Sequence, residues 1–498
     1  MTMSNIRGMR GFLASSIGVT CAAVLTLPLI PPAVATTARP ALGAEVATSG
    51  RAVAGPAVRQ EGAEPSVPGS TQSLPLVSSA RDRDAGDPAE QGLSPGDVRH
   101  FSLVGVTWDT PDNELHGRVQ VRTRSVGTGK WSGWQDLDTH NSAHAADPGT
   151  DEPASGRVRG STAPLWVGES DGVEVRVTAE PAGPRPTDGP EDEVRGGGDD
   201  STAHPEGAAT LPAGLRLELV DPGEPAPEKV DPAGAPRPGS LNPETVETAE
   251  VLAASGANAE LAPVGAAEIP ALGRAATERE LLALRGNELT EAQRAKPYIG
   301  PRPRIVTRRG WGANEGWRER QFSYTKKVKA AFVHHTATGS KYSCSQAPSL
   351  IRGIYRYHVK SMGWRDVGYN FLVDKCGNIY EGRAGGVAKP VLGAHTLGFN
   401  SNSMGIAVLG SYGTTKPTNA SVKAVARLTA WKLGLYGANP RGKTYLTSGG
   451  GNLYRKGKNV RLNVISGHRD GYSTECPGRQ LYRKLGSARA SAARYQGR

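Results

Sequence analysis

The sequence predicts an α/β class for its C-terminal part, preceded by a small β-sandwich-like domain and by disordered linkers. Three features carry this expectation. Beyond residue 300, apolar strand-like runs interleave with segments of helical spacing. Between residues 96 and 222, short strands of alternating polarity are separated by Gly and Pro, as in a sandwich of antiparallel sheets. The flanking stretches are rich in Ala, Pro and Gly and nearly free of aromatics, so they have little apolar surface to bury.

In chain order, Arg7 and Arg10 precede a mostly apolar run over residues 12–29, and Ala33-Val34-Ala35 follows. That is the layout of a signal peptide over residues 1–35. An uncleaved anchor is the alternative, because the run is near spanning length. Residues 36–95 read as a disordered spacer. In the β-rich domain at 96–222, strands are expected at 101–108, 119–123, 165–167, 173–177 and 215–219, with an acidic disordered insertion at 181–212. Trp131 and Trp134 frame a turn there, as core aromatics or as a carbohydrate-binding face. Residues 223–300 read as a Pro/Ala-rich linker with a helix at 276–294, where Leu281, Leu282, Leu284 and Leu289 recur.

The domain at 301–490 follows. A strand at 330–336 ends in His334-His335-Thr336, and a helix at 346–359 gathers Leu350, Ile351, Ile354 and Tyr355 on one face. The strand at 368–374 turns at Gly377-Asn378 into Ile379-Tyr380-Glu381. The run at 405–410 is apolar throughout, as a strand covered on both faces would be. Helices are expected at 419–435 and after Pro477, whose fixed φ suits a first helical turn.

Net charge is +11, but it is unevenly spread. From residue 301 onward there are 34 Lys and Arg against 7 Asp and Glu, or +27; residues 1–300 hold 25 against 41, or −16. A basic domain of this kind suits a polyanionic surface. Cys21 falls in the signal run, leaving Cys344, Cys376 and Cys476. In an exported protein, pairing Cys344 with Cys376 leaves Cys476 as a free thiol.

Cys476 stands eight residues after His468 on a Gly- and Pro-punctuated loop, and both side chains can turn toward one zinc ion. His334, at the end of its own strand, supplies a third ligand. Three protein ligands and an open position describe a catalytic zinc, whereas four describe a structural one. A buried loop cysteine beside a capping histidine would account for the same loop without a metal.

Seven motifs occur together and in order: Trp311-Gly312-Ala313, Val333-His334-His335-Thr336, the stretch from Trp364 through Tyr369 to Phe371, Tyr380-Glu381-Gly382-Arg383, Gly393-Ala394-His395, Asn400 through Ile406, and Gly467-His468-Arg469-Asp470 with Glu475-Cys476-Pro477-Gly478. In these the chain resembles the peptidoglycan recognition proteins and the type 2 N-acetylmuramoyl-L-alanine amidases, including the phage T7 lysozyme. The resemblance implies a central mixed β-sheet flanked by helices, with a Zn²⁺ cleft ligated by His334, His468 and Cys476. It implies catalytic roles for Tyr369 and Thr474. His358 and His395 are expected either to line the glycan or peptide groove or to be structural hydrogen-bonding histidines. The implied activity is hydrolysis of the lactyl–L-alanine amide of peptidoglycan by a secreted, wall-associated monomer. Its partners would be the glycan strand, the stem peptide and anionic wall polymers, with no nucleic acid and no stable membrane association. A non-catalytic recognition protein is the alternative; loss of the cysteine ligand would be its usual mark, and Cys476 is present. The Cys344–Cys376 disulfide is an inference from cysteine count and not a family feature.

Overall fold

A computed structural model of the chain describes residues 69–78, 89–154, 156–180, 210–223 and 249–498. The expected signal peptide, much of the spacer and most of the acidic insertion lie outside the described residues. No described helix is long and apolar enough to cross a membrane.

The first domain is an antiparallel sheet whose main strands are β1 (Ser70–Pro75), β2 (Glu90–Trp108), β3 (Gly117–Ser125), β4 (Gln135–Leu137), β5 (Leu165–Ala179) and β6 (Arg216–Asp221). Their spatial order is β1-β6-β2-β5-β3-β4. The register of β2 against β5 shifts between Leu93 and Gly96, and again around Phe101, and such irregularities bend a strand. Val104 and Val106 of β2, Val119 and Val121 of β3, Val175 and Val177 of β5, and Leu217 and Leu219 of β6 then share one core. Their period-2 spacing is what places them all inward.

Two expectations change here. β1 and the start of β2 fall within the stretch read as spacer; β1 is held by pairing with β6 along its whole length, from Ser70↔Asp221 to Pro75↔Arg216. Trp131 and Trp134 are not core aromatics. The Arg122 and Arg176 guanidinium groups lie 5.2 and 4.2 Å from the Trp134 ring, and Trp131 is exposed.

The second domain contains, in order, α1 (Ala249–Gly256), β7 (Glu268–Ile269), α2 (Arg274–Arg285), β8 (Ile305–Val306), β9 (Ala330–His335), α3 (Ala347–Arg356), β10 (Phe371–Val373), β11 (Ile379–Glu381), β12 (Ser403–Val408), α4 (Asn419–Gly434), β13 (Lys443–Thr447), β14 (Asn459–Asn463), β15 (Ile465–Gly467) and α5 (Leu485–Gln496). Seven strands form a mixed sheet in the order β15-β9-β12-β10-β11-β8-β7, while β13 and β14 pair as a separate hairpin. β9 runs parallel to both β12 and β15. Ala331 and Val333 of β9 face the core shared with α4 and α5, with Val425, Leu428, Leu485 and Ala492. Alternation sends Ala330, Phe332 and His334 to the opposite face.

Residues 249–300 are not a free linker. Leu261, Ala262, Ile269, Leu281 and Ile299 belong to the main core, and β7 extends the sheet at its edge. Few apolar residues sit at the packing positions, so the Ala/Pro/Gly composition conceals them. The helix expected at 276–294 breaks at Gly286, and a separate short turn begins after Thr290, whose side chain caps it. After Pro477 there is a single turn, Arg479–Tyr482; α5 then runs to Gln496, past the expected boundary at 490. A disulfide joins Cys344, just before α3, to Cys376 in the β10–β11 turn.

The two domains pack directly. Leu103, Trp166 and Val220 of the first share a core with Leu350, Ile354 and Tyr357 of the second. The Tyr357 hydroxyl reaches the Val106 and Thr162 carbonyls at 3.3 and 3.1 Å, and Ser361 donates to buried Glu218 at 3.0 Å. Gly105 makes room for this approach, since a Cβ there would overlap the Tyr357 ring.

Candidate metal centre

Val333 of β9 pairs with Gly467 of β15, so the next residues on each chain, His334 and His468, emerge side by side. Their ring centroids are 4.5 Å apart. The loop after His468 closes on itself through a hydrogen bond from the Arg469 amide to the Cys476 carbonyl, 3.0 Å. This returns Cys476 Sγ to 3.8 Å from His334 Nδ1. Two tetrahedral ligands at zinc–nitrogen and zinc–sulfur bond lengths lie about 3.6 Å apart. The thiol also accepts from the His335 amide at 3.4 Å.

Second-layer contacts set the tautomers. His468 Nε2 donates to the Ala143 carbonyl at 3.0 Å, which leaves Nδ1 as the lone-pair nitrogen, and that atom is buried without a hydrogen-bond partner. His334 Nε2 lies 3.4 Å from Thr396 Oγ1, which in turn contacts His395 Nδ1 at 3.0 Å. Such outer partners orient metal-ligating imidazoles. Burial, followed by the neighbouring imidazoles, holds His334 and His468 well below the usual histidine range, so both stay neutral. Burial pushes the Cys476 thiol up, so a nearby cation is needed to hold it as thiolate. Neutral imidazole lone pairs, one sulfur and an orphaned buried nitrogen fit a zinc ion.

A fourth donor comes from the first domain. His144 ends a short turn, Ser142–His144, and its buried ring lies 4.5 Å from that of His468 and 5.4 Å from that of His334. One donor atom each from His144, His334, His468 and Cys476 lie within 4.8 Å of one another. Nothing in the sequence pointed to His144, which sits in a polar stretch without periodicity.

Tyr369 is buried beside the centre, its ring 5.5 Å from His334. Burial, then the Cys476 and Asp138 charges, raise its hydroxyl well above the usual range, so it is a hydrogen-bond donor at neutral pH and not a base. Thr474, half-buried on the cysteine loop, accepts from the Cys476 amide at 3.3 Å. Glu475 is almost fully exposed and pairs with Arg469, pointing away from the cluster.

His358 and His395, expected to line a groove, are both buried. His358 Nδ1 accepts from the Gly368 amide at 3.2 Å, and His395 contacts Thr396 behind His334. Burial lowers each to about 3. Neither presents an imidazole to open solvent in this conformation.

Residues 324–479 match the N-acetylmuramoyl-L-alanine amidase family. A Drosophila simulans protein, peptidoglycan-recognition protein SC2, is 34% identical over 183 residues, which cover 36% of this chain and 84% of the fly protein. The chain belongs to the peptidoglycan-recognition protein family. A human N-acetylmuramoyl-L-alanine amidase is 36% identical over 141 residues, covering 28% of this chain and 22% of that protein. Among solved structures, wild-type Drosophila PGRP-LB is 25% identical over 37% of this chain and 92% of that one, with a TM-score of 0.29. Residues 56–200 match a second family, described as Rv3811 N-terminal galactose-binding domain-like. This recognition-protein domain thus comes with an N-terminal domain of its own family.

Proposed function

We propose that this chain is a secreted, zinc-dependent N-acetylmuramoyl-L-alanine amidase that hydrolyses the lactyl–L-alanine amide of peptidoglycan. The observation that carries the reading is the convergence of donor atoms from His334, His468 and Cys476 beside the Tyr369 ring. Zinc held by these three residues would lower the pKa of water to about 7 and polarise the scissile carbonyl. The rest falls to the chain. The Tyr369 hydroxyl, kept protonated by burial, donates to the oxygen on which negative charge develops, and Thr474 offers a second hydroxyl from the cysteine loop. In the conformation seen here, the Ala143 carbonyl takes the Nε2 proton of His468 and leaves Nδ1 as its lone-pair nitrogen.

Export is supported by the signal-like layout of residues 1–35 and by the Cys344–Cys376 disulfide. The +27 charge from residue 301 onward suits anionic wall polymers.

The test is mass spectrometry of peptidoglycan after prolonged digestion, with chelator, without it, and with Zn²⁺ restored. Release of intact stem peptides that stops with chelator and returns with Zn²⁺ is expected. Peptidoglycan binding with no peptide release in any arm would instead favour a recognition protein.

A further inference from the structure

We propose that His144 is a fourth metal ligand, delivered by the first domain, and that residues 141–152 form a strap that keeps the centre closed. The inference rests on the metal reading above. Both ring nitrogens of His144 are buried and lack hydrogen-bond partners, although buried polar groups in folded proteins are almost always satisfied. One of those nitrogens lies within 4.8 Å of donor atoms from His334, His468 and Cys476, so an ion shared with them would take its lone pair.

The strap is also fastened along its length. The Ala143 carbonyl accepts from His468 Nε2 and from the Leu397 amide, each at 3.0 Å. Asp147 accepts from the Gly398 amide and from the Asn400 side chain, each at 2.7 Å. Glu152 takes both terminal nitrogens of Arg383, at 2.9 and 3.0 Å, and the Arg365 amide at 3.1 Å. These are built, buried contacts between two domains.

Their consequence is steric and coordinative. His334, His468, Cys476 and Tyr369 are 0, 0, 3 and 5% exposed, so a cross-linked glycan cannot reach them. Four protein ligands also fill a tetrahedral zinc, whereas a catalytic site keeps one position open. Lifting the strap withdraws one imidazole, leaves three protein ligands, and uncovers Tyr369. The structure is the latent form.

The test uses the full chain loaded with Co²⁺ or Zn²⁺, as wild type, as His144→Ala, and as an Asp147→Ala, Glu152→Ala double variant that keeps His144 but cuts two anchors. Visible absorption of the Co²⁺ forms reads the ligand set, chelator competition reads Zn²⁺ affinity, and stem-peptide release reads access. His144→Ala is expected to change the Co²⁺ spectrum, to weaken Zn²⁺ retention by about tenfold or more, and to raise peptide release at least tenfold. The double variant is expected to raise release as well. Identical Co²⁺ spectra in wild type and His144→Ala would overturn the ligand assignment, and unchanged release in both variants of an active wild type would overturn the strap. A spectral change with no peptide release from any form would uphold His144 as a ligand and instead refute the amidase reading.

Discussion

The Glu152–Arg383 pair gives the closest test of how the strap is held. The side chains are only 6 and 10% exposed, and the contact is bidentate. Removing one partner of a buried ion pair costs about 3–5 kcal/mol, because the other charge stays buried and unpaired. In Glu152→Ala that penalty falls on the closed arrangement, since lifting the strap returns Arg383 to water. At 1.36 kcal/mol per tenfold, the open population rises by about two to four orders of magnitude. Hydrogen exchange followed by mass spectrometry can measure this, because the Leu397 and Gly398 amides donate to Ala143 and Asp147 of the strap. Those amides are expected to exchange faster by that factor, while amides of β9 and β12, paired inside the sheet, keep their rates. Unchanged exchange at Leu397 and Gly398 would refute the energetics. Equal acceleration at β9 and β12 would show that the strap unfolds only with the whole domain.

Other outcomes follow from the centre and its frame. Cys476→Ala is expected to lose bound zinc and all peptide release while keeping the wild-type far-ultraviolet circular dichroism. Tyr369→Phe, made in the His144→Ala background, should lower kcat/KM by about 10²–10³ with metal content unchanged, the usual cost of one oxyanion donor; a change below threefold would remove Tyr369 from the reaction. Replacing both Cys344 and Cys376 by Ser opens a loop with a sequence separation of 32, for which loop-closure entropy gives about 3–4 kcal/mol of lost stability. Urea denaturation measures it, and a loss under 1 kcal/mol would contradict the entropic account. Binding to insoluble peptidoglycan should weaken steadily as salt rises, if the basic residues act through the surface field.

Much of the candidate centre was legible because each of three candidate ligands has a local signal. His334 and His468 each follow an apolar strand-like run, and Cys476 precedes Pro477-Gly478. Parallel pairing of β9 with β15 then brings the two histidines together, which a pattern of apolar runs implies only through the fold. His144 was invisible for the opposite reason. Its position depends on how one domain docks on another, and no local pattern encodes docking. β1 was missed because edge pairing uses backbone groups that every residue carries. Residues 249–300 were misread because a few apolar side chains, Ile269 and Leu281 among them, are enough to bind a segment whose average composition looks unstructured.

The junction between Tyr357 and the first domain limits how this protein can be cut and recombined. Excised alone, the C-terminal part would present Leu350, Ile354 and Tyr357 as a bare, sticky surface and leave the phenol of Tyr357 without its carbonyl acceptors. Even one methyl group added at Gly105 would wedge the halves apart. The C-terminal half is therefore not a portable cassette, and any descendant that sheds the leading half must first repaint that surface with polar residues.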